Sequence, residues 1–279
     1  MLTLEISSIA SACGKNPFES RNKTFLTQLC KEKKEYYRSL FFEEEIFRIT
    51  NSDNYYDTEL KNKVKKHKVE NPSDFLETEE AIMKEIISEN PDVNTENLRE
   101  KIKDSLKKEC GKNIEPRVIK EKKYQRGNNI MYYYNDTNGW RLRGLHDATK
   151  GDMVIEVKTR MKLNNIRRNE YDLYQLFGYL LAMKKTKGKI VQSFNGVIYD
   201  SDEESGIEYG IIDIENEPWK SKFSAFYNEL SSFFEEIKDC DFFDIYSVFT
   251  KGEIPIASFK DNTLVKFNHD YEKLIKLFL

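Results

Sequence analysis

The stretch Gly144-Leu145-His146-Asp147-Ala148-Thr149-Lys150-Gly151-Asp152-Met153-Val154-Ile155-Glu156-Val157-Lys158 decides how this chain reads. Gly151-Asp152 sits between two strand-like runs, and glycine supplies the positive φ that a two-residue hairpin turn requires. Centring the turn there pairs Lys150 with Met153, Thr149 with Val154, Ala148 with Ile155 and Asp147 with Glu156. Asp147 and Glu156 then share one face with their Cβ atoms about 5 Å apart. Lys158 lies two residues on and joins that face, while Val157 points the other way into a core. Two facing carboxylates repel unless something offsets the charge, and a divalent cation does so. Mg²⁺ takes hard oxygen ligands, and the Val157 carbonyl is a further oxygen within reach. A lysine beside such a cation can orient a hydrolytic water or stabilise charge on a phosphate, which suits phosphodiester hydrolysis. Glu-x-Lys alone means little, since it recurs at Glu32, Glu59, Glu121 and Glu236, all in polar, helical contexts. Only Glu156 follows a tight turn on a Val/Ile strand. The plain alternative is an exposed hairpin with a cross-strand lysine–carboxylate pair.

Outward from the hairpin, Ile130–Tyr134 and Trp140–Leu145 are aromatic and β-branched runs around Asp136-Thr137-Asn138-Gly139, a second hairpin signal. Glu170–Lys184 returns to helical spacing, with Leu173, Leu176, Phe177 and Leu180 on one stripe and Asn169 at the N-cap. Gln175 and Tyr179 are four apart on this helix and face one way, toward the strand edge that carries Lys158. Lys189–Tyr199 and Ile207–Ile214 read as two strands, Trp219–Ile237 as an amphipathic helix, and Tyr271–Phe278 as a short closing helix. The first 110 residues read as helical: Asn22–Thr50, Ser73–Glu89 with a Ser N-cap, and Thr95–Cys110 ending at Gly111. A separate short helix over Ile114–Lys123 carries Glu115, either a third carboxylate of the site or a solvated acid. The expected fold class is α/β (α+β), a central mixed sheet flanked by helices after a mostly helical N-terminal region. Residues 1–110, 111–216 and 217–279 form its three parts within one compact domain.

Composition limits the remaining classes. The chain has 279 residues, 36 aromatics and 33% charged residues, enough to close a core. No apolar run reaches the roughly 18 residues of a membrane helix and no leader is recognised, so an intracellular protein without a membrane partner is expected. Cys13, Cys30, Cys110 and Cys240 are far apart, which writes neither a disulfide framework nor a zinc ribbon. His67 and His269 form no zinc spacing, and His146, next to Asp147, faces the opposite side of a regular strand. The net charge of −3 hides two basic runs: nine Lys/Arg against four acids over 101–123, and five with no acid over 158–168. Arg160, Lys162, Arg167 and Arg168 belong to the second run, which suits an anionic partner.

Together these motifs resemble the PD-(D/E)xK nuclease superfamily, and within it the lambda exonuclease and YqaJ-type viral recombinase branch with its RecB-like nuclease core. Ser7-Ser8-Ile9-Ala10-Ser11-Ala12-Cys13-Gly14-Lys15-Asn16-Pro17-Phe18 is similar to the branch's N-terminal motif. Gly111-Lys112-Asn113-Ile114-Glu115-Pro116 is similar to its Gly-x-x-x-Glu-Pro helix start, and Gln175 to Tyr179 to its Gln-x-x-x-Tyr helix. The resemblance spans residues 7–179. It implies a restriction-endonuclease-like core in which Asp147, Glu156 and Glu115 bind Mg²⁺ or Mn²⁺, with two ions expected and no iron–sulfur cluster or zinc. Lys158 would be the catalytic lysine supported by Gln175 and Tyr179, Ser7 would contact a phosphate, and the basic runs, with Arg160, Lys162, Arg167 and Arg168, would line the DNA path. It further implies a DNA exonuclease of recombination or repair acting 5′ to 3′ from duplex ends, for some members with a single-strand annealing protein or as a ring-shaped trimer. Two departures stand out: His146 replaces the proline before Asp147, and Thr159-Arg160 follows Lys158 where lambda-type members carry Cys-Pro, which speaks against the trimer. The alternatives are an endonuclease on the same core (restriction, resolvase or RNA-cleaving) and a non-catalytic nucleic-acid-binding protein.

Overall fold

The computed structural model describes residues 2–19, 21, 24, 28, 55–67, 69, 72–89, 91, 95–127, 129–161, 169–200 and 210–239. The helix expected over Tyr271–Phe278 lies outside these residues, as does the one expected over Asn22–Thr50 apart from Thr24 and Gln28. Among the described residues the longest element is α4 (Thr95–Glu121), which follows α1 (Ile9–Ala12), α2 (Tyr55–Lys66) and α3 (Phe75–Glu89). The two helices expected across this stretch are one, with Gly111 and Pro116 in its interior. Leu98, Ile102, Leu106, Cys110, Ile114 and Val118 are all buried and all four residues apart. A spacing of four exceeds the 3.6-residue turn, so the buried stripe winds about 40° per step around the helix. The first three therefore pack with Leu60, Val64, Ile82, Met83 and Ile86 of α2 and α3, and the last three reach the sheet. Continuous burial outweighs the helix-breaking tendency of Gly111 and the missing N–H of Pro116. At the start of α3, Ser73 lies in a 3₁₀ turn, Pro72–Asp74, and its hydroxyl bonds Asp74 rather than capping the helix.

The main sheet runs β2 (Gln125–Arg126), β5 (Ala148–Lys150), β6 (Met153–Thr159), β7 (Lys187–Phe194) and β8 (Val197–Tyr199), with β9 (Ile212–Asp213) also on β7. Around Gly151-Asp152 the register is Lys150 with Met153, Thr149 with Val154 and Ala148 with Ile155, as expected. The β6–β7 pair is parallel and is joined through α5 (Glu170–Met183), which makes the sheet mixed. The single strand expected over Lys189–Tyr199 is a hairpin, with Phe194 paired to Val197 across Asn195 and Gly196 at φ 47° and 78°. That Asn-Gly pair is the type I′ signature, and it was masked by the β-branched run on either side. Of the strand expected over Ile207–Ile214, the described residues retain β9 alone. A second sheet holds β1 (Leu2–Glu5), β4 (Trp140–Gly144) and β3 (Tyr132–Asn135), where β3 and β4 form the expected hairpin and β1 runs parallel to β4.

Alternation along β6 sets the two faces. Val154 joins the larger core with Leu173, Leu176 and Phe177 of α5 and Phe226 and Phe233 of α6 (Trp219–Asp239). Ile155 and Val157 join Ile114 and Val118 of α4 on the other side. Trp140, fully buried, stacks on Phe234 with ring centroids 4.7 Å apart and ties the second sheet to α6. The protein is thus α+β, a mixed sheet flanked by helices. No helix among the described residues is long and apolar enough to cross a membrane.

Candidate active site

Glu156 and Lys158 leave β6 on the α5 side, where apolar alternation is interrupted by charge. Glu156 is 1% exposed. Its Oε1 lies 2.7 Å from Lys158 Nζ, while Oε2 is buried with no hydrogen-bond partner. The Lys158 ammonium also donates to Gln175 Oε1 at 2.7 Å. Gln175 reaches it because 172, 175 and 179 share one flank of α5. Tyr179 donates to the Leu145 carbonyl at 2.6 Å and so pins the segment leading into Asp147. A Cβ at Gly144 would stand 3.0 Å from both Ile6 and Tyr179, which leaves room for little but glycine there.

Asp147 departs from its expected place in one respect. The ladder stops at Ala148, so Asp147 lies just past the strand, and its Oδ2 accepts the Val157 N–H at 2.7 Å. On its other edge the Asp147 carbonyl receives the Gly127 N–H at 2.9 Å, one step beyond the pairing of Arg126 with Ala148. The carboxylates still act on one another. Burial, then the Glu115 charge, raises Asp147 to about 6 against the relief given by the Val157 N–H. Burial, then the Asp147 charge, raises Glu156 to about 8 despite Lys158. Burial raises Glu115, and Arg126, Glu156 and Lys158 are the charges that act on it. Burial works against the Lys158 ammonium, but Glu156 and Asp172 hold it charged and raise it overall.

Arg160 corrects the sequence expectation. It was expected to meet DNA, yet it is 5% exposed. Its guanidinium donates to Gln192 Oε1 at 2.5 Å, to the Tyr171 hydroxyl at 3.1 Å and to Asp172 Oδ2. Positive charge at that position is consumed by a buried network. Lys162, Arg167 and Arg168 lie outside the described residues. Ser7 is exposed in the 3₁₀ turn Ile6–Ser8, next to Ile6, which packs under Gly144. His146 rests edge-on against Tyr132 at 5.1 Å, and burial lowers its pKa.

Sequence reasoning missed Asp172, which is fully buried, bonded to Arg160 and 3.9 Å from Lys158 Nζ through Oδ1. Its signal was a carboxylate three residues before Gln175 on an otherwise apolar helix flank.

The donor set (Glu115, Asp147, Glu156 and the Val157 carbonyl) is made of hard oxygens, and an unpartnered buried Glu156 oxygen beside two raised carboxylates fits Mg²⁺ or Mn²⁺. Among the described residues, no three His, Cys, Asp or Glu side chains are already arranged to grip an ion.

No family model and no curated protein matches the chain. A solved structure titled "Crystal structure of SSO0001" aligns with 73% of this chain and 99% of its own, at 16% identity and a TM-score of 0.36.

Proposed function

We propose that the protein is a Mg²⁺- or Mn²⁺-dependent deoxyribonuclease, an exonuclease acting on duplex ends in DNA recombination or repair. The observation that carries this reading is the meeting of Asp147, Glu156, Lys158 and Gln175 at one end of β6, with a Glu156 oxygen buried and unpartnered. A lysine held between a carboxylate and an amide beside a cluster of raised acids serves phosphoryl transfer better than it serves stability. The resemblance to the lambda exonuclease and YqaJ-type branch supports end-directed action on DNA, and an annealing protein is the matching partner class.

In the mechanism, Asp147 and Glu156, with Glu115 and the Val157 carbonyl, would hold the cation, which when bound lowers the pKa of water and neutralises phosphate charge. Lys158 supplies fixed positive charge to the phosphoryl oxygens as negative charge develops on them. Gln175 orients the ammonium, and Tyr179 fixes the Leu145–Asp147 segment.

The test is digestion of one plasmid as closed circle, nicked circle and 5′-phosphorylated linear duplex with Mg²⁺ or Mn²⁺, alongside Asp147→Ala and Lys158→Ala. Loss of the linear form alone, abolished in both variants, supports the exonuclease. Cutting of closed circles replaces it with an endonuclease on the same site. Absence of cleavage by the unaltered protein on DNA and RNA alike rejects the enzyme.

A further inference from the structure

The Lys158 ammonium has three N–H donors, and two are committed, to Glu156 Oε1 and Gln175 Oε1, each at 2.7 Å. On its other side, Asp172 Oδ1 lies 3.9 Å away, too far for a hydrogen bond. Oδ2 of the same carboxylate is occupied by Arg160, whereas Oδ1 is buried without a hydrogen-bond partner. A buried anionic oxygen left without a hydrogen bond is costly, and one in a native interior calls for a specific reason. Glu156 presents the mirror image: its occupied oxygen faces Lys158 and its free oxygen is buried. Both Gln175 and Asp172 sit on α5, one turn apart, so Gln175 can stay bonded as the ammonium tilts between the carboxylates.

We propose that Asp172 is a positioning residue that receives the Lys158 ammonium when Glu156 ligates a divalent cation, so that the lysine has one station for the empty site and another for the loaded one. The inference rests on the reading of Glu156 as a cation ligand. A shift of about 1 Å at Nζ closes the Lys158–Asp172 hydrogen bond. It also frees Glu156 Oε1, and it moves the positive charge of Lys158 away from the incoming cation. Arg160 keeps the Asp172 carboxylate in place and fixes which of its oxygens is left open. Lys158 keeps its charge throughout the exchange.

The test is Mn²⁺ binding by calorimetry to the unaltered protein, Asp172→Asn, Lys158→Met and the double variant. Asp172→Asn should weaken binding roughly tenfold in the unaltered background and leave it unchanged in the Lys158→Met background, a coupling of the size found between directly interacting residues. Equal loss in both backgrounds marks a purely structural role and overturns the proposal, as does no loss in either. Should Asp172→Asn fail to fold, a crystal structure of the unaltered protein with Mn²⁺ decides. Lys158 Nζ closer to Asp172 Oδ1 than to Glu156 Oε1 supports the exchange, and an unmoved 2.7 Å pair with Glu156 overturns it. Binding that depends on Asp147 and Glu156 with Lys158 unmoved rejects this inference alone. Absence of any such binding rejects the reading of the site and the inference with it.

Discussion

Replacing Arg160 with methionine separates what the sequence suggested from what the fold imposes. Methionine preserves the aliphatic length of the side chain and removes its charge and its donors. Asp172, fully buried, then loses its Arg160 partner, and Gln192 and the Tyr171 hydroxyl each lose a donor. Breaking a buried ion pair by deleting one partner costs about 3–5 kcal/mol. Lys158, 3.9 Å from Asp172, offsets part of this. The loss should therefore sit near the lower end, about 3 kcal/mol, or roughly 6–12 °C in melting temperature for a domain of this size. Urea unfolding and calorimetry measure it directly. A surface arginine contacting a phosphate gives the opposite signature: an unchanged melting temperature, and a salt dependence of DNA binding shallower by about one unit. An Arg160→Met protein that melts within 1–2 °C of the parent would refute the buried network.

Three further outcomes are expected. Gly111→Ala should stabilise the protein by about 0.5–1 kcal/mol, because Gly111 is interior to α4 and the new Cβ meets Thr159 only at 4.0 Å; destabilisation in urea would mean that a helix ends there. Asp147 at about 6 and Glu156 at about 8 bind protons in the folded protein that the unfolded chain has already released, so the metal-free protein should lose stability as the pH rises from about 5 to 8. Glu156→Gln removes most of that slope, so its melting temperature in EDTA should gain on the parent toward pH 8, and parallel curves would contradict the assignment. Burial raises the Cys13 thiol to about 12 from 9.0, so its thiolate fraction near pH 8 should be about a thousandfold below that of an ordinary cysteine. Alkylation of Cys13, followed by peptide mass spectrometry, should be correspondingly slow unless the protein is unfolded first.

The hairpin at the centre of the fold was legible because its signals are local: a Gly-Asp turn, flanking β-branched residues and a period of two fixed the observed register to the residue. The approach of Gln175 to Lys158 was legible for the same reason, since it follows from helical spacing beside a strand. Three features were not. Asp147 ends the ladder where its own carboxylate, rather than a strand carbonyl, accepts the Val157 N–H, a choice that the strand period does not reveal. The continuity of α4 was obscured by Gly111 and Pro116, whose local penalties are smaller than the gain from burying one side chain per turn on two cores. The fate of Arg160 depended on Asp172 and Gln192, which come to it from a helix and a strand that composition cannot place beside it.

The winding stripe of α4 also makes that helix a keeper of phase. Its early turns are indexed to α2 and α3 and its later turns to the sheet, so the angle at which Glu115 meets Asp147 and Glu156 is set by the number of residues between the two grips. One residue inserted between Leu106 and Cys110 would rotate everything beyond it by about 100° and turn Glu115 away from its neighbours, whereas seven residues would rotate it by only about 20°. Length changes that keep this phase are therefore those close to a whole number of turns, such as about 7, 11 or 18 residues.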